Sequence, residues 1–375
     1  AAFESSIATR HPELAAAHGH VAPLNQTDLQ RLLNDPAKAI LEYVAADRQV
    51  FAWLVTNDDS RISVEGRVIG IDSAALEREV NKFRDEIAAR DFAFQNGARR
   101  LYDLLLAPWS ERLDKRSQLI IVPDAVLWNL PFQALLTPRG YVVEAAAVSY
   151  APSMTILREL EQLPRRSASR TVLAMGRSEF GRRSGLEPLP EAESQVRQIR
   201  DAYGPTRSAA YIGDDATESR FKSAASRYAV LHLATHGILD EASPLYSHLV
   251  LAPARDNPED DGRLEAWEIM RMRLDADLVV LAACDTGRGR IAPGEGVVGM
   301  MWALFAAGAR SMVVSQIRVE SKSATSLLVP FHRALAESRA PKAASLRASS
   351  LELLRMPRYA HPYYWAGFIL VGDPD

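Results

Sequence analysis

The chain has 375 residues, 47% of them hydrophobic and 24% charged, which suffices for one large or two ordinary buried cores. Its formal net charge of −3 gives no electrostatic case for nucleic acid or an anionic membrane as a partner, and no apolar run reaches the length of a membrane span. A single cysteine excludes an intrachain disulfide and a Cys-rich zinc site and fits a reducing cytoplasm.

The N-terminus, AAFESSIATRHPELAAAHGH, has no basic start leading into an apolar run, so no signal peptide is expected; its abrupt beginning suits a fragment of a longer protein. Residues 24–45 read as helical, interrupted near Pro36. RQVFAWLVT (48–56) and RVIGI (67–71) read as paired strands, and 73–107 as two helical stretches meeting at Gly97. Strands are expected at 118–123 and 141–150, then a helix capped by Ser153 and running to about Leu163. LPRRSASR (163–170) is the candidate domain boundary, dividing the chain into 1–165 and 166–375.

Beyond it the alternation is regular. Strands are expected at 171–176, 228–236, 248–253, 278–285, 309–317 and 368–372, with helices at 190–203, 217–226, 265–272, 295–307, 323–337 and 342–355. Apolar strands without polar alternation, separated by helices, predict an α/β fold with a largely parallel sheet flanked by helices. The polar stretches 177–185 and 254–263 read as loops, and no solenoid repeat is visible.

Two of these strands run into reactive side chains. YAVLHLAT leads to His236-Gly237, and LVVLAA to Cys284-Asp285-Thr286-Gly287. Open α/β sheets gather chemistry beyond the carboxyl ends of their strands, so neighbouring strands would place His236 and Cys284 on one edge. A thiol is mostly protonated at neutral pH and needs an imidazole to hold it as thiolate and to protonate a leaving amine. The N–H groups of Gly237 and Cys284 are candidates for an oxyanion hole. The bland alternatives are an inert core thiol at Cys284 and a structural histidine at His236.

The remaining histidines read as structural or solvated. His232 lies inside its strand and is expected to be packed and hydrogen-bonded; His361 precedes a proline and aromatics; His11, His18 and His20 lack metal-ligand spacing. Asp285 is expected to hold its loop. Residues 287–296 are glycine-rich without the Gly-Lys-Ser/Thr ending of a phosphate loop, and no G-x-S-x-G string supports a serine hydrolase. Trp302 and Phe305 read as helical core packing. No metal and no cofactor is called for.

Several ordered blocks resemble the CHAT peptidase-like domain, a bacterial relative of caspases and separases. They are LIIVPDAVLWNLPFQALL (119–136), HLATHG (232–237), ACDTG followed by GEGVVGMMWALFAAGA, and HPYYWAGFILVGD (361–373). The His-to-Cys separation is also close to the roughly 50 residues noted for caspases, although their Q-A-C-x-G string is absent. The resemblance implies a caspase-like catalytic domain preceded by a degenerate peptidase-like half. It implies a cysteine endopeptidase with His236 and Cys284 as its dyad, a protein substrate such as a gasdermin-like or other effector, a role in bacterial defence or regulated proteolysis, and a tetratricopeptide-repeat region or regulatory partner. A catalytically silent interaction module on the same fold is the alternative.

The resemblance also places a P1 pocket at Ala282, Arg318, Glu320 and Ser321. Where separase-like relatives carry acids and a tryptophan, this chain reads Ser315-Gln316-Ile317-Arg318-Val319-Glu320-Ser321. In an extended segment Arg318 and Glu320 would share one face and Val319 and Ser321 the other. Either face argues against a strong basic P1 preference.

Overall fold

The computed structural model describes residues 23–59, 61–163, 170–181, 184–240, 242–254, 257, 260–282, 295–317, 319–337 and 340–375. The chain forms two compact units, Ala1–Pro164 with Ile369–Asp375, and Arg165–Phe368.

The first unit opens with α1 (Gln26–Leu32), whose N-terminal amides are held by a reciprocal cap between Asn25 and Asp28. Its strands are β1 (Lys38–Ala46), β2 (Gln49–Asp58), β3 (Arg61–Ile69), β4 (Gln118–Val122) and β7 (Ala147–Tyr150), with a small β5 (Leu136–Thr137) and β6 (Gly140–Tyr141) hairpin. The sheet runs β3-β2-β1-β4-β7 and then β16 (Phe368–Gly372), antiparallel through β3-β2-β1 and parallel from β1 onward. Its longer helices are α2 (Ser73–Ala88), α3 (Phe94–Leu105) and α4 (Met154–Gln162), with Ser153 accepting from the Ile156 amide at 3.1 Å as the cap of α4. Leu33, Ile40, Val55, Ile120, Val122 and Leu157 form one cluster of its core.

Three expectations need correction here. Residues 38–46 form strand β1, not helix: Ile40 and Leu41 are both fully buried, and this placement between β2 and β4 outweighs the helix propensity of Ala, Leu and Glu. Gly97 lies inside α3 and packs on Phe83; the break between helices is at Ala89–Ala93. Residues 141–150 are not one strand, because the Tyr141 amide donates to Glu144 at 2.6 Å and starts a helical turn over Val142–Ala145 before β7.

The second unit holds β8 (Val172–Gly176), β9 (Ser208–Ile212), β10 (Val230–Ala234), β14 (Leu278–Leu281) and β15 (Ser311–Ser315), in the order β15-β14-β10-β8-β9 with every pair parallel. A separate antiparallel sheet joins β11 (Gly237–Ile238), β12 (His248–Val250) and β13 (Arg263–Glu265). The 248–253 segment therefore pairs outside the main sheet, and β9 is a strand the apolar pattern did not reveal, since all five of its residues are only half-buried. The unit's helices are α5 (Ala192–Tyr203), α6 (Glu218–Ala224), α7 (Ala266–Met270), α8 (Glu295–Ala306), α9 (Ser321–Glu337) and α10 (Lys342–Leu354). Phe305 of α8 is buried and Trp302 half-buried, as core packing requires. On α6, burial pushes the Glu218 carboxyl up to about 7, against the opposing hydrogen bond from Lys222. Lys222 also bonds Glu268 at 2.6 Å.

Candidate catalytic site

The second unit brings the two predicted strands side by side. β10 and β14 are parallel neighbours, in register from Val230↔Leu278 to Leu233↔Leu281, and the Ala282 amide donates to the Leu233 carbonyl at 2.9 Å. Their carboxyl ends open on one edge, and His236 stands there just beyond β10. Ala282 follows β14 and is buried. Cys284, Asp285, Gly287 and Arg318 lie outside the described residues, as do His11, His18 and His20.

His236 is held by the stretch that follows β8. Its Nε2 lies 2.7 Å from the Glu187 carbonyl oxygen; a carbonyl only accepts, so Nε2 carries the proton. The Phe180 ring packs against the imidazole with centroids 4.6 Å apart. Arg177 lies over Phe180 at 5.5 Å and donates to the Leu251 carbonyl at 2.7 Å. A bond from the Leu189 amide to the Ser178 carbonyl, at 2.9 Å, ties this stretch to itself. On the backbone side, the His236 carbonyl accepts from the Val250 amide at 2.9 Å, and the Thr235 hydroxyl donates to the Val250 carbonyl. His236 is 1% exposed. Gly237 is buried and opens β11 opposite Leu249.

Among the proposed P1 positions, Glu320 and Ser321 do not continue one extended segment. Ile317 and Val319 are buried against Gly367, where a Cβ would sit 2.8 Å from Val319 Cγ2. Glu320 is exposed, and Ser321 already begins α9, with the Ser323 hydroxyl bonding the Glu320 carbonyl at 3.0 Å. Alternation of faces thus ends before Ser321.

Beneath the edge lies a polar chain that sequence reasoning met only at its middle. His232 is fully buried, with Nε2 at 3.1 Å from Gln195 Oε1 and Nδ1 at 3.0 Å from His332 Nε2; His332 Nδ1 lies 3.4 Å from the Tyr203 hydroxyl. Gln195 Nε2 goes on to Thr325 at 3.3 Å. Because the Gln195 oxygen must accept, donors run one way: Tyr203 to His332, His332 to His232, His232 to Gln195. Both rings are neutral in this arrangement. Burial holds His332 down to about 3, and burial with the His332 contact holds His232 well below its ordinary value. Gln195 and Tyr203 on α5 and His332 on α9 are placed by tertiary packing, which their local spacing does not signal.

Among the described residues no group of three or more His, Cys, Asp or Glu side chains is arranged to hold a metal, and no helix is long and apolar enough to cross a membrane.

A family model described as the CHAT domain matches residues 95–373. Tetratricopeptide repeat protein 28 of Homo sapiens is 25% identical over 337 residues, covering 73% of this chain, and its Mus musculus counterpart matches equally. The chain spans 13% of the length of these curated relatives. Among solved structures, the Saccharomyces cerevisiae separase–securin complex at 3.0 Å is similar with a TM-score of 0.59 and 9% identity, over 93% of this chain and 30% of that one. The 2.6 Å structure of the same complex gives 0.58 and 9%, over 93% and 31%. The fold is thus mixed α/β, mostly parallel and helix-flanked, of the separase kind; at that identity the likeness is one of fold alone.

Proposed function

The chain belongs to the CHAT domain family, and from that premise we propose that it is a cysteine endopeptidase in which Cys284 attacks and His236 is general acid and base. One observation carries the reading. Two parallel neighbouring strands, paired from Val230↔Leu278 to Leu233↔Leu281, end on one edge, and the sequence leads from the first to His236 and from the second towards Cys284, which lies outside the described residues.

In the proposed reaction the Cys284 thiolate forms an S–C bond to the scissile carbonyl. The Gly237 and Cys284 amides receive the oxyanion. His236 gives its proton to the leaving amine as the C–N bond breaks, then takes one from the water that hydrolyses the thioester. With the Nε2 proton committed to Glu187, this exchange falls to Nδ1. Thiolate attack needs no metal or nucleotide. The substrate is a protein, of gasdermin-like or other effector type, cleaved in the cytoplasm in bacterial defence or regulated proteolysis. A tetratricopeptide-repeat region is the proposed regulatory partner, in keeping with the name of the curated relatives. The first unit is proposed to be a degenerate peptidase-like half.

A second reading, a catalytically silent interaction module, draws on the burial of His236 beneath Phe180. A thiol-directed peptidyl probe separates the two. Labelling that is lost in Cys284→Ala and reduced in His236→Ala supports the peptidase; absence of labelling across a library of P1 residues supports the module.

A further inference from the structure

The edge strand of the first unit's sheet carries an unused surface. β3 is nine residues long and pairs with β2 without a break from Asp58↔Arg61 to Val50↔Ile69. It is the terminal strand of its sheet among the described residues and contains neither proline nor a bulge. Long regular edges of this kind present unpaired backbone amides and carbonyls and are normally blunted or covered. This one exposes Val64 by 56% and Val68 by 60%. On the same face, the register aligns Val44, Phe51 and Val68 in one row, with Trp53 stacked on Phe51 at 6.1 Å in the next.

The order of residues along β3 is symmetric in chemistry: Val64-Glu65-Gly66-Arg67-Val68 reads apolar, acid, glycine, base, apolar. A two-fold axis through Gly66 that pairs β3 antiparallel with another β3 sets Val64 opposite Val68 on one face. On the other face it sets Glu65 opposite Arg67, twice over. Both charged side chains reach solvent. The Glu65 side chain is 41% exposed and forms an ion pair with Arg112 Nε, 3.1 Å from one of its oxygens, while Arg67 lies over the Trp109 ring at 4.9 Å. The outer ends agree too. Ile62, which packs towards α1, would face Gly70, where a Cβ would meet nothing within 4 Å.

We propose that β3 is a self-complementary dimer edge whose occupant is the β3 strand of a second copy of this chain, joined antiparallel about Gly66. Charge complementarity selects the copy over other strands: a parallel pairing in register would oppose like charges, and the antiparallel one opposes unlike.

Sedimentation equilibrium of the 375-residue chain over about 1 to 100 µM tests this. The expected result is association to twice the 41.4 kDa chain mass. Arg67→Glu alone and Glu65→Arg alone should each weaken association at least about tenfold, since each opposes like charges. An equimolar mixture of the two should dimerise again, as should the double variant Glu65→Arg/Arg67→Glu, because unlike charges then meet once more. Recovery in the mixture also shows that neither substitution acts by unfolding. A wild-type chain monomeric throughout overturns the proposal and leaves the edge to another segment or protein. Single reversals that dimerise like the wild type, or a mixture that does not recover, overturn this register.

Discussion

The buried chain through His232 and His332 makes acid stability a direct measurement. Both rings are held neutral in the folded state, so the unfolded chain binds more protons wherever pH is below the ordinary histidine value of 6.5 and above the folded value. Their stabilising contribution is therefore complete above 6.5 and is lost as pH falls from there towards about 3. Between pH 7 and pH 5 His332 alone accounts for a loss of about 2 kcal/mol, and His232, held down by burial and by the His332 contact, adds to it in the same direction. Urea denaturation of the wild type and of His232→Gln/His332→Gln, at pH 7 and pH 5, isolates this difference. The double variant starts lower because the Tyr203 and Gln195 contacts are lost, so the pH-dependent drop is the quantity to compare. Wild type should lose at least about 2 kcal/mol more than the variant over that interval. Equal drops in the two proteins would refute the neutral, one-way arrangement.

Other outcomes follow from single sites. His236→Ala should lower cleavage or probe labelling by about 100-fold or more, measured where the variant is still folded, because loss of the buried ring and of its bond to Glu187 also lowers the unfolding midpoint. A chelator should leave labelling by the thiol probe unchanged, checked at matched pH. Lys222→Met leaves the buried Glu218 carboxyl without its cation and should destabilise by about 2 to 3 kcal/mol in a urea titration. Gly262→Ala should cost at least about 2 kcal/mol in the same assay, since its φ is +80° and a Cβ would lie 2.7 Å from the Leu251 carbonyl oxygen. A P1 substrate profile should not be dominated by arginine; such dominance would point to exposed Glu320 as the acid that reads it.

How much of this was legible depended on whether local pattern or tertiary partner decided the residue. The strands that precede His236 and Cys284 in sequence are apolar but for His232, without polar alternation, and that pattern announces a buried parallel strand before any fold is known. Ser153 declared its helix because a cap acts on its own next turn. AILEYVAA misled because Ala, Leu and Glu favour helix in isolation, and only the neighbours β2 and β4 make it a strand. β9 was missed because a half-buried edge strand has no strong apolar period. His332 and Gln195 meet His232 across separate elements, a coincidence of topology that local spacing does not encode. The carbonyl that fixes the His236 tautomer is backbone, and any residue type supplies one.

That last point bears on how the site would tolerate change. Glu187 touches His236 through its main chain while its side chain is exposed, so a mutational scan should register almost nothing at position 187. The sensitive position is its neighbour. Pro188 confines the preceding residue to extended backbone, and its replacement by glycine would release the carbonyl's aim without altering any group that touches the imidazole. A main-chain partner of this kind is invisible to identity-based comparison and is guarded instead by the proline one step along the chain.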